Sequence, residues 1–152
     1  MELSRDNRAG DFRGLTIIFF AMLAGQLLFA AVTYFLISTE GGLGEAGFLE
    51  GNAVNYLGLY IVLMIAGAYY LDRNRASNAA KRSYKDYRQA ITSYRTSVIL
   101  RSAIVEAAVL LTIVVALLTG NLTVLIIALL GSAAFFLFRP SEDQFIERYG
   151  RL

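Results

Sequence analysis

LTIIFFAMLAGQLLFAAVTYFLI, residues 15–37, runs for 23 residues without a charge. In a helix rising 1.5 Å per residue it reaches roughly 34 Å, enough to cross the about 30 Å hydrocarbon core of a bilayer. The stretch therefore reads as a transmembrane helix and decides the fold class. Arg5, Arg8 and Arg13 precede it, as they would in a secretory signal, but a signal's apolar region holds only roughly 7–15 residues.

The rest of the chain agrees. Of 152 residues 57% are hydrophobic and 17% charged, with a mean hydropathy of +0.54, where a soluble domain carries about 25% charge. A second uncharged run covers 53–71 and ends at Tyr69 and Tyr70, whose amphipathic rings suit the headgroup level. A third apolar segment, Val98 to Leu118, is interrupted by Arg101 and Glu106. No Gly or Pro breaks the chain between Ala79 and Leu118, so helix three is expected over 79–118, with Ser77 or Asn78 as its N-cap. A fourth helix, 122–138, stops at Arg139 and Pro140. Only Thr119, Gly120 and Asn121 separate the last two, which makes them an antiparallel hairpin with Gly120 and Asn121 suited to left-handed backbone. The expected architecture is an all-α membrane protein, one domain over 1–152: a four-helix antiparallel bundle with helix three extended into the cytoplasm.

Charge placement sets the orientation. All 14 Lys and Arg lie before helix one, in the segment 72–97 and at Arg101, or after helix four. The outer loop 38–52 has none and carries Glu40, Glu45 and Glu50. Basic residues in short loops stay on the cytoplasmic side, so both termini are expected inside. The same asymmetry accounts for the basic character of the chain without nucleic acid. Gly42, Gly44 and Gly47 match G-x-G-x-x-G, but this loop joins two membrane helices, whereas the dinucleotide fingerprint works only between a strand and a helix.

Cys, His and Trp are absent. Thiolate chemistry, disulfides, Cys- or His-based metal and haem sites, and the commonest general base go with them. No catalytic constellation stands out, and neither a metal nor a cofactor is expected.

Three features remain as candidates. From the segment 72–97 into helix three, Tyr84, Tyr87, Ile91, Tyr94 and Val98 follow at helical spacing among basic residues. The stripe must pack on helix two, the N-terminal arm or another subunit, while Lys81, Arg82, Lys85, Arg88 and Arg95 are placed to meet anionic lipid. Glu106 is the one carboxylate inside a predicted span, where acids usually face a bundle interior, a water path or a partner. Arg101 and Gln26 are its candidate neighbours in a proton- or cation-binding site. Five residues separate Arg101 from Glu106, about 140° around a helix, so Arg101 meets Asp72, at the end of helix two, more naturally. Finally, Ala21/Gly25, Ala103/Ala107 and Ala128/Ser132 are small pairs at i, i+4 that let helix backbones approach, within the bundle or between subunits.

Tyr94-Arg95-Thr96, Ile99, Arg101 and Glu106, then Leu117-Leu118-Thr119-Gly120-Asn121 and Arg139-Pro140-Ser141, resemble a group of functionally uncharacterised small four-helix bacterial inner-membrane proteins. The likeness covers about the last third of the chain; it implies a bacterial inner membrane and supplies no activity. The function expected is a non-enzymatic scaffold or accessory subunit of a membrane complex, homo-oligomeric or larger. The alternative is a proton- or cation-coupled transporter or channel centred on Glu106.

Overall fold

A computed structural model describes residues 5–41, 53–81 and 87–149. These are 95% helix, with no strand among them. Three helices are long and apolar enough to cross a membrane: α1 (Arg5–Glu40), α2 (Ala53–Lys81) and α3 (Tyr87–Thr119). A shorter apolar helix, α4 (Leu122–Ala134), tightens into a 3-10 helix at Phe135–Phe138, and α5 (Glu142–Tyr149) follows.

Local chemistry explains the ends. Gly41 closes α1 at φ 76°, its N–H donating to the Ile37 carbonyl at 3.0 Å, and Gly120 stops α3 at φ 65°; only Gly takes this backbone without steric cost. Asn121 is not left-handed as expected. It is extended (φ −93°, ψ 106°), and its side-chain oxygen accepts from the Thr123 N–H at 2.9 Å, capping α4. One of the four orphan donors at that helix start is thereby satisfied. Arg139 is also extended, at ψ 131°, as the residue before a proline must be.

Two boundaries differ from the sequence reading. Helix two was expected to end at 71 and helix three to begin at 79, but α2 continues to Lys81 and α3 begins at Tyr87. Nothing between Asp72 and Lys81 breaks a helix, so α2 runs on past its apolar edge, and Ser77 and Asn78 lie inside it instead of capping α3. Residues 82–86 fall outside the described residues. The other difference is α5, which the sequence reading omitted.

α3 is the central helix. It packs against α1, α2 and α4, and 44% of its most apolar window is buried, against 28% for α1 and 11% for α2. α1 turns Leu15, Phe19, Leu23, Gln26, Ala30, Thr33 and Ile37 inward, a spacing of three and four that keeps one helical face on the core. Phe19 stacks on Phe135 with ring centroids 4.6 Å apart. At Gly131 three helices converge: a β-carbon there would come within 3.0 Å of Val109 Cγ2 on α3 and 3.3 Å of Ile61 Cδ1 on α2. Of the three small pairs, Ala128 and Ser132 are buried, while Ala21/Gly25 and Ala103/Ala107 are exposed.

A second apolar cluster closes the end of the bundle where α3 begins. Leu15, Ala90, Ile91, Tyr94, Val98 and Phe145 are buried there, with Phe12 packed against them. The stripe at Ile91, Tyr94 and Val98 is thus covered by the start of α1 and by α5; Tyr84 and the Tyr87 side chain lie outside the described residues. The Tyr94 hydroxyl donates to the Ser141 carbonyl at 3.0 Å and accepts from the Ser141 N–H at 3.1 Å, fixing the residue from which α5 departs. Tyr94→Phe keeps the ring contacts to Phe12 and Phe145 and removes both bonds. It should cost about 1 kcal/mol, read as earlier thermal unfolding in mild detergent and faster proteolysis of the α5 segment; an unchanged melt and unchanged cleavage would show that the rings alone hold α5.

Candidate functional site

Asp72 is the first residue after the apolar run of α2, and Arg101 lies on the facing surface of α3. Their side chains meet with Arg101 Nη1 2.9 Å from Asp72 Oδ1, and they are only 3% and 8% exposed. Arg101 Nη2 also donates to the Phe138 carbonyl at 3.0 Å, and the guanidinium lies 5.9 Å from the Phe138 ring centroid. The last carbonyls of a helix have no partner in their own ladder. Pro140 has no N–H to offer, and the chain turns away into α5. Arg101 therefore joins three elements: α2 through a carboxylate, the 3-10 helix through a carbonyl, and its own α3. A planar guanidinium with donors in fixed directions suits this; an ammonium does not.

Beside the pair is a cleft of about 510 Å³ between α2, the 3-10 helix and α5. Its walls are Val62, Ile65, Ala66 and Tyr69 of α2 together with Leu137 and Phe138, and Asp72, Arg101 and Gln144 supply its polar groups. Val62, Tyr69 and Leu137 are 61%, 60% and 74% exposed, so the cleft opens on the outside of the bundle. Gln144 Oε1 and Arg101 Nε are buried without a hydrogen-bond partner.

The remaining candidates lie apart. Glu106 is half-buried at the edge of the packed face of α3, one turn from buried Ser102 and beside exposed Ala107. It makes no hydrogen bond or ion pair with the described residues. Gln26 is fully enclosed by α1's packed face, and neither its amide nitrogen nor its amide oxygen has a partner; Thr33 Oγ1 and Ser102 Oγ share that condition. No hydrogen bond joins Glu106, Gln26 and Arg101. Of the basic residues expected to meet lipid, Arg88 is exposed and Arg95 partly buried; Arg82, Lys85 and the Lys81 side chain lie outside the described residues, as do Gly44, Gly47, Glu45 and Glu50 of the outer loop. Among the described residues no three Asp or Glu gather as a metal site would require.

The residues that sequence reasoning missed are Gln144 and the Phe138 carbonyl. Ser141-Glu142-Asp143-Gln144 has the S-x-x-Q spacing of a helix start, with two acids in the first turn, and would have revealed α5. A free backbone carbonyl leaves no such mark. No family model, curated protein or solved structure matches the chain, so its chemistry rests on these residues alone.

Proposed function

We propose that this chain is a non-enzymatic scaffold or accessory subunit of a larger membrane assembly. It crosses a bacterial inner membrane four times as an antiparallel bundle, with both termini cytoplasmic. The 13 residues of α4 and 4 of the 3-10 helix together extend about 28 Å, close to a hydrocarbon thickness. This supports a fourth span. The one-sided distribution of Lys and Arg supports the orientation, in which Asp72, Arg101 and α5 stand at the cytoplasmic interface.

The observation that carries the scaffold reading is the fate of the small pairs. Ala128 and Ser132 are consumed inside the bundle, whereas Ala21/Gly25 on α1 and Ala103/Ala107 on α3 face outward, with nothing within 4 Å of a β-carbon placed on Gly25. In lipid, helices associate where small residues let backbones approach, so two contact faces stay available after the bundle is complete. Transport ranks second. The unpartnered interior atoms of Gln26, Thr33 and Ser102 favour it, but Arg101 is committed to Asp72 and Phe138 and Glu106 sits at the edge of the packing.

Native mass spectrometry of the tagged chain, taken at endogenous level from its own membrane in mild detergent, tests the proposal. A defined assembly is expected, and Gly25→Leu or Ala107→Leu should dissociate it without altering the melting of the chain. Monomer alone from the wild type would overturn the scaffold reading.

A further inference from the structure

We infer that the cleft between α2, the 3-10 helix and α5 holds one phospholipid with a zwitterionic, amine-bearing headgroup. One of its acyl chains lies along Val62, Ile65 and Ala66, and its headgroup meets Asp72, Arg101 and Gln144. The cleft opens on the surface that faces lipid, where a groove lined by hydrocarbon side chains is filled by hydrocarbon. Its length fits one leaflet: from Val62 to Asp72 is ten residues, about 15 Å of helix, or half a hydrocarbon core. Its chemistry changes along that length as a phospholipid's does. Aliphatic walls give way to Tyr69, of the type enriched at headgroup level, and then to an ion pair and an amide.

The headgroup class follows from the charges. Asp72 and Arg101 neutralise each other, so the polar end of the cleft attracts neither sign strongly. Around it both signs are exposed: Arg73 and Arg139 adjoin the lining residues, and Glu142, Asp143 and Glu147 lie on α5. A net-anionic headgroup would meet the three carboxylates of α5, whereas a phosphate and an ammonium on one molecule find a partner each. Gln144 Oε1 is an acceptor without a donor, which an ammonium N–H supplies after rotation of the Gln144 side chain and a trimethylated amine cannot.

The test uses the full chain, purified in mild detergent, stripped of lipid and titrated with phosphatidylethanolamine, phosphatidylcholine and phosphatidylglycerol of identical acyl chains, with bound lipid counted by native mass spectrometry. One phosphatidylethanolamine per chain is expected, bound about fivefold or more tightly than the other two, the discrimination that one satisfied hydrogen bond supplies. Ala66→Trp and Val62→Trp, both at exposed wall positions, should each weaken it about tenfold with the melting temperature unchanged. Gln144→Leu leaves the groove in place and should abolish the preference over phosphatidylcholine. Equal retention of all three lipids, tighter binding of phosphatidylglycerol, or binding undiminished by either tryptophan would overturn the proposal.

Discussion

Asp72→Ala should destabilise the folded chain by about 3–5 kcal/mol, the cost of leaving a buried charge without its counter-ion. Arg101 is 3% exposed in a completed packing, and with Asp72 gone its remaining hydrogen bond among the described residues is to the Phe138 carbonyl. That carbonyl bears a partial charge at most. Arg101→Ala should also destabilise the chain, by taking one bond from Asp72 and the donor from the Phe138 carbonyl. Arg101→Lys should recover only part of the loss, because one ammonium cannot reproduce the two diverging bonds from Nη1 and Nη2. The double replacement Asp72→Leu with Arg101→Met should lie nearer the wild type than either single variant, since apolar groups of similar volume remove the charges in pairs. Equilibrium unfolding of these variants in one detergent, with Asp72→Ala/Arg101→Ala added to close the double-mutant cycle, gives the coupling. A loss below about 1 kcal/mol for Asp72→Ala, the range of solvent-screened surface pairs, would show that water reaches the pair and that it does not hold α2 to α3.

The sequence exposed the features governed by solvent and left hidden those governed by neighbours. The run 15–37 and the three later apolar segments were legible because hydrocarbon thickness imposes a length, and length needs only the sequence to be seen. The i, i+3, i+4 stripe through Ile91, Tyr94 and Val98 announced a covered face and left its cover open among helix two, the N-terminal arm and another subunit. That cover came from the start of α1 and from Phe145 of α5, segments far apart in sequence. The boundaries at 71 and 79 failed because apolarity marks where a helix leaves lipid, not where its hydrogen-bond ladder stops, and α2 has no breaker before Lys81. Of the candidate site, Asp72 and Arg101 could be paired on paper since unlike charges at the ends of adjoining spans have few other partners. Gln144 entered only with α5, and the Phe138 carbonyl only with the turn that freed it.

Gln26→Met should stabilise the chain by about 1–3 kcal/mol, the cost ordinarily carried by a buried polar group without partners. Gln26 has no exposed surface, and both ends of its amide lack a hydrogen bond. Met is unbranched and of similar length, so the substitution changes polarity with little change in shape. The buried hydroxyls of Ser132 and Thr112 are spent within their own helices, on the Ala128 carbonyl at 3.2 Å and the Ala108 carbonyl at 2.9 Å. Thermal unfolding of Gln26→Met beside Thr33→Val, which removes an unpartnered hydroxyl one heptad along the same face, measures the effect, and both variants should melt higher than the wild type. A lower melt for Gln26→Met would mean that the amide is bonded by an interior water, the kind of partner that a fully buried side chain admits.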